Sequence, residues 1–117
     1  MRGSTRREIK RLLSSEKGTI AKCYGDVRVA LVYPNWYGLG MSNLGFQTVY
    51  ALINRNPLAS CERSFLLESG EAVTVESGST LSSFDVVAFS VSFELDYANI
   101  PEILRRAKIP PRAEQRE

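Results

Sequence analysis

The stretch Val27 to Tyr33 (VRVALVY) is rich in β-branched residues and, after Arg28, unbroken in apolar character. A strand with one wet face alternates polar and apolar residues, whereas a strand covered on both faces reads as a continuous apolar run. The segment is therefore expected to be a central strand of a parallel sheet with helices on both sides. Val86 to Phe93 (VVAFSVSF) has the same buried character, and Cys61 to Leu66 (CERSFL) reads as a strand between them. Leu44, Phe46, Val49, Tyr50, Leu52 and Ile53 supply the wide apolar face of a helix, with Ser42 or Asn43 as its N-cap and Asn54 to Pro57 as its stop. Strand, helix and strand in this order make a right-handed crossover between parallel strands.

The remaining segments fit around that unit. Arg6 to Lys17 reads as an amphipathic helix with Ile9, Leu12 and Leu13 on one stripe, ended by Ser14, Ser15 and Gly18. Pro34 is expected to stop the first strand, leaving Asn35 to Gly40 as a loop. Leu67 to Asp85 has no helical period, only an alternating piece at Ala72 to Glu76 that suggests one short extra strand. After the third strand Tyr97, Ile100, Ile103, Leu104 and Ala107 recur at helical spacing, with Asp96 or Asn99 as cap and Pro101 confined to the first turn. Ile109-Pro110-Pro111 ends that helix. The expected organisation is a helical lead-in over 1–25, an α/β domain over 26–110 and a polar tail over 111–117. The fold class is α/β, a flavodoxin-like (Rossmann-like) three-layer parallel sheet that reads as truncated after its third main strand.

Composition narrows the function. In 117 residues there is no histidine, which removes histidine-dependent hydrolase triads and imidazole metal ligands. The two cysteines, Cys23 and Cys61, form no C-x-x-C pattern, so the chain is not expected to hold a metal or cluster by itself. A net charge of +2, with basic residues gathered at the two ends, does not argue for nucleic acid. No apolar run reaches the ~18 residues that span a bilayer, and the amino terminus lacks a secretory pattern. A cytoplasmic location with free thiols is the expectation.

In open parallel sheets ligands bind beyond the carboxyl ends of the strands, where strand order reverses. With flavodoxin-like order that point falls between the ends of the first and third strands. Asn35, Trp36, Tyr37, Gly38, Leu39, Gly40, Met41 and Ser42 follow the first strand, and Ser90, Ser92 and Phe93 lie at the end of the third. Gly38 and Gly40 let backbone approach a ligand, and Trp36 and Tyr37 offer flat surface for a ring. The helix starting near Met41 to Asn43 presents free amide groups. Ser90 and Ser92 share one face of their strand and can donate to a ligand tail. Each feature also has a structural reading: turn glycines, a core-plugging or interdomain tryptophan, serines satisfying a strand end. Glu94 and Asp96 read as acidic residues favoured at a helix N-terminus rather than a catalytic pair.

The run VALVYPNWYGLGMSNLGFQTVYALIN, then CERSFL, then ESG-x-x-LSSFDVVAFSVSFELDYANIPEILRRAKIP resembles the amino-terminal region of cobalamin-binding-domain radical S-adenosylmethionine proteins over roughly residues 18 to 113. GMSNLGFQTVY and FDVVAFSVSFE-x-DY are its most specific stretches. The resemblance implies a cobalamin site at Asn35 to Ser42, Ser90, Ser92 and Phe93. Related domains carry D-x-H-x-x-G after the first strand, with histidine below cobalt. Here the positions read Asn35-Trp36-Tyr37-Gly38-Leu39-Gly40, so cobalamin would bind without a histidine lower ligand. The further strands of relatives, and the barrel whose C-x-x-x-C-x-x-C cluster cleaves S-adenosylmethionine, are not in this sequence.

The reading that follows is a cobalamin-binding-like module serving a radical S-adenosylmethionine barrel domain, with S-adenosylmethionine and the iron–sulfur cluster held by that other domain. The chain alone is not expected to be an enzyme, because it offers no activated nucleophile beside a base. The alternatives are a scaffold or interaction domain that kept the fold without the pocket and, behind it, a flavin or nucleotide binder. An uncovered edge on the third strand makes a homodimer a further expectation.

Overall fold

The computed structural model describes residues 3–14, 26–91 and 94–110. Its sheet has three parallel strands, β1 (Val27–Trp36), β2 (Ala59–Leu66) and β3 (Val86–Phe89), in the order β2-β1-β3. The most apolar strand takes the centre, as its covered-on-both-faces composition requires. Alternate β1 side chains enter two cores. Val29, Leu31 and Tyr33 pack with Ile9 of helix α1 (Gly3–Leu13) and with Phe46 and Tyr50 of α3 (Leu44–Arg55). On the other face Ala30 and Val32 pack with Leu81, Phe84 and with Ile103 and Ala107, which belong to α4 (Asn99–Arg106) and its last turn. Helices on both faces of an all-parallel sheet make this a three-layer α/β unit of flavodoxin-like order.

Several boundaries differ from the sequence expectation. Pro34 does not stop β1. The pairing with β2 steps from Val32↔Ser64 to Trp36↔Leu66, so the proline falls in a bulge where no ladder bond needs its missing N–H. The expected loop is instead the end of β1 followed by a short helix, α2 (Tyr37–Met41). β3 ends at Phe89, and α1 begins at Gly3 and ends at Leu13. The alternating piece at Ala72 to Glu76 is no strand: it makes a single antiparallel bridge, Val73↔Thr80, and runs beside β2, with Val75 N–H donating to Arg63 C=O at 2.8 Å and Ser64 Oγ to Val73 C=O at 2.8 Å. Of the apolar face assigned to α3, Phe46 and Tyr50 are buried, while Leu44, Val49 and Leu52 are exposed. Asn43 caps α3, its side chain accepting from Phe46 N–H at 2.8 Å. Neither Asp96 nor Asn99 caps α4, and Pro101 lies in its first turn.

That polar crossover explains how a charged edge strand is buried. Glu62 and Arg63 of β2 are both inside. Glu62 Oε1 accepts from Thr74 Oγ1 at 2.7 Å and Ser77 Oγ at 2.5 Å, and Arg28 lies 3.5 Å from its other oxygen. On the opposite face Arg63 Nε donates to Glu76 Oε2 at 2.7 Å, and Tyr50 OH donates to the same oxygen at 2.7 Å. Cys61, two positions before Arg63 on the same face of β2, is fully buried, and that burial, with the Glu76 charge behind it, pushes its thiol up to about 12 from an ordinary 9.0. In a Cys23→Ser background, native Cys61 should react with a thiol reagent at mildly alkaline pH on the order of a thousandfold more slowly than in denaturant. Equal rates in the two states would mean that the strand opens readily.

Candidate functional site

Parallel strands aim their carboxyl ends, and the N-termini of the helices that follow them, at one edge of the sheet. The chain's largest exposed apolar side chains on that edge come from four neighbouring elements. Trp36, the last residue of β1, is 51% exposed, Leu39 of α2 is 49% exposed, Leu44 at the start of α3 is 78% exposed, and Tyr97 ahead of α4 is 62% exposed. By the topology of the sheet all four stand along its carboxyl edge, as an exposed apolar rim. Other apolar side chains, Leu52 and Leu58 among them, are exposed elsewhere, and it is the shared edge that sets these four apart.

The sequence-predicted residues divide between this rim and the core beneath it. Trp36, Gly38 and Leu39 face outward, and a Cβ built on Gly38 would meet no atom within 4 Å. Tyr37 turns inward instead, edge-on to Phe65 with ring centroids 5.0 Å apart. Gly40 is buried because β2 needs the space: a Cβ there would lie 2.5 Å from Phe65 Cε1. Neither glycine has a positive φ, so close packing at Gly40 and open space at Gly38 are what they contribute, not a special backbone conformation. Met41 is half-buried beneath α2, with Arg63 Nη1 3.4 Å from its sulfur, and Ser42 Oγ donates to Gly38 C=O at 2.8 Å. Ser90 N–H donates to Val32 C=O at 2.8 Å, which sets it beside β1 at the switch point. Ser92 and Phe93 lie outside the described residues.

Two side-chain bonds tie the end of β1 to the segment preceding and opening α4. Asn35 Nδ2 donates to Asp96 Oδ1 at 2.9 Å, and Asn99 Nδ2 donates to Pro34 C=O at 2.8 Å. Asn35 Oδ1 also accepts from Trp36 N–H at 2.8 Å, which fixes the amide's orientation. Asn35 thus braces the end of β1 against the segment before α4. Below the rim, between the ends of β1 and β2 and α4, lies a cleft of about 220 Å³ lined by Trp36, Leu66, Leu67, Asn99, Ile103 and Arg106. Beside β3 a broader groove of about 780 Å³ is lined by Leu81, Phe84, Val87, Phe89 and Leu104.

Sequence reasoning passed over Leu44 and Tyr97, both counted as buried helix-face residues. The available signal was position, since each stands at or before the first turn of its helix, where a side chain meets the sheet edge rather than its face. Among the described residues no group of histidine, cysteine and carboxylate side chains is placed to hold a metal ion, and no helix is long and apolar enough to cross a membrane.

The family described as radical SAM proteins, N-terminal, matches residues 45–117, more than half of the chain. No curated protein and no solved structure matches it.

Proposed function

The chain belongs to the radical SAM protein N-terminal family, and from that premise we propose that its carboxyl edge holds a corrinoid ring for a radical S-adenosylmethionine domain. The observation that carries the reading is the rim of Trp36, Leu39, Leu44 and Tyr97 at the switch point of a β2-β1-β3 sheet. A corrin is a broad, mostly apolar disc, and such a disc needs a flat apolar seat rather than a deep pocket. The cleft beside Trp36, at about 220 Å³, is smaller than the ~300–1,000 Å³ of ordinary ligand pockets, so the reading puts the ring on the open rim. Trp36 and Leu39 would lie under the ring, with Gly38 leaving room between them and Ser90 within the β3 side of the seat. When bound, a corrinoid supplies a cobalt that carries and hands on a methyl group. With no histidine in the sequence, the cobalt takes no imidazole from this chain. S-adenosylmethionine and the iron–sulfur cluster are assigned to the other domain of the protein.

Trp36 is the only tryptophan, so its emission reports on the rim alone. Titration with hydroxocobalamin should quench it saturably, and the corrinoid spectrum should persist after desalting. Trp36→Ala, followed by corrinoid absorbance, should weaken retention by roughly tenfold. A second reading, a docking scaffold without cofactor, is favoured by the Asn35–Asp96 and Asn99–Pro34 bonds, which stiffen this edge as an interface would require. Absence of quenching and of retention in a cooperatively folded chain would select that reading.

A further inference from the structure

The cleft between the ends of β1 and β2 and α4 differs from the open rim in carrying charge. At about 220 Å³ it has about seven times the ~30 Å³ share of one water in the liquid, room for a small organic molecule. Trp36 and Ile103 give it apolar walls, and Glu71, Asn99, Glu102 and Arg106 give it a polar lining. Arg106 is fixed there from two sides. Its Nε donates to Glu102 at 2.8 Å, and its Nη1 donates to Gly70 C=O at 2.8 Å, which ties α4 to the turn after β2. Gly70 has a φ of +80°, and a Cβ on it would stand 2.5 Å from Arg106 Nη1, so the backbone is bare where the guanidinium lies. Among the described residues these bonds use two of the five donors of Arg106. Arg105 also donates to Glu102, so two guanidiniums share one carboxylate and a positive charge is left over.

The same lining supplies acceptors. Glu71 follows Gly70 in the chain; one of its oxygens accepts from Thr5 at 2.7 Å, and a carboxylate has capacity for further donors. Asn99 gives its Nδ2 to Pro34 C=O, which orients the amide and leaves Oδ1 as its acceptor. A fixed cation, a carboxylate and an aromatic wall on one small cleft complement a molecule that has both charges and an apolar body. We propose that the cleft binds a free α-amino acid with an apolar side chain. Its carboxylate meets Arg106, its ammonium meets Glu71 and Asn99, and its side chain lies against Trp36. An anion of the same size would face Glu71 and Glu102 without compensation, and a cation would face Arg106; the zwitterion meets neither penalty. The site goes beyond the corrinoid reading, because among the rim residues it uses Trp36 alone.

The test compares L-leucine with two analogues that each lack one charge, 4-methylpentanoate without the ammonium and 3-methylbutylamine without the carboxylate. Binding is followed by Trp36 emission and by titration calorimetry. Leucine should bind saturably and at least about tenfold more tightly than either analogue. Arg106→Gln should weaken leucine about tenfold and leave 3-methylbutylamine unchanged, whereas Glu71→Gln, which keeps an oxygen for Thr5, should weaken leucine and leave 4-methylpentanoate unchanged. Absence of leucine binding, or leucine binding no tighter than both analogues, overturns the proposal. Corrinoid retention is read separately by absorbance, so neither result bears on the ring. Should a substitution unfold the chain, the three-ligand comparison on the unaltered chain still decides.

Discussion

Arg63→Leu is expected to cost about 3–5 kcal/mol of stability, the range for removing one partner of a buried ion pair. The side chains of Arg63 and Glu76 are 2% and 3% exposed. Glu76 receives three donors at 2.7 Å, the Arg63 side chain, the Arg63 amide and Tyr50 OH, and the guanidinium lies 4.7 Å from the centre of the Tyr50 ring. Taking away the cation leaves a buried carboxyl group whose charge nothing nearby offsets. Replacing both partners with leucine should restore much of the loss, because the desolvation cost leaves with the charges. The variant should also carry a pH signature. Burial already holds the Glu76 carboxyl above its ordinary 4.5 against the pull of Arg63 and the hydrogen bonds. A carboxyl raised on folding takes up a proton as the chain folds, so its contribution is present in acid and is lost as pH rises through the folded value. Without Arg63 that value rises further, and the deficit of the variant should widen from acidic to neutral pH. Urea melts of the two single variants and the double variant across that range test this; a deficit below about 1 kcal/mol at neutral pH would place the pair outside the folded core.

Gly40→Ala and Gly38→Ala should have opposite signs, although the two glycines are two positions apart on the same short helix. At Gly40 the added methyl would stand 2.5 Å from Phe65 Cε1 and 3.2 Å from Tyr33 Cδ2, both in buried rings. Phe65 and Tyr33 each pack against Phe46, with centroids 5.4 and 5.5 Å apart, so neither ring yields without moving α3. Overpacking of this kind costs about 1–3 kcal/mol. At Gly38 nothing lies within 4 Å, and alanine should be neutral or stabilising by up to ~1 kcal/mol through the unfolded chain. Corrinoid retention separates the effects: Gly40→Ala should lose binding in step with stability, whereas Gly38→Ala should keep stability and lose affinity because it raises a bump in the seat. A Gly40→Ala variant as stable as its parent would show that α2 is not pinned to β2.

The layer order and the parallel crossover were legible because continuous apolar runs and helical periods report burial, and burial decides them. The identity of the central strand followed from VRVALVY alone. What the sequence concealed depends on partners distant along the chain. Glu62 and Arg63 read as ordinary strand charges until Thr74, Glu76 and Ser77 are brought across to them. Pro34 read as a stop because local sequence does not reveal a bulge. The carboxyl end of β1 was legible as a place in the fold, whereas the inward turn of Tyr37, the bond from Asn35 to Asp96 and the exposure of Leu44 and Tyr97 depend on neighbours that local sequence does not reveal.

The two borders of the sheet are not equivalent. Along β2 the Val73–Val75 stretch already occupies the outer border through its bonds to Arg63 and Ser64, whereas β3 has no strand beyond it among the described residues. The β3 border is therefore the more open of the two to strand addition. Two such sheets meeting border to border at β3 would use up both open borders at once. Self-association by this route would end at a closed pair.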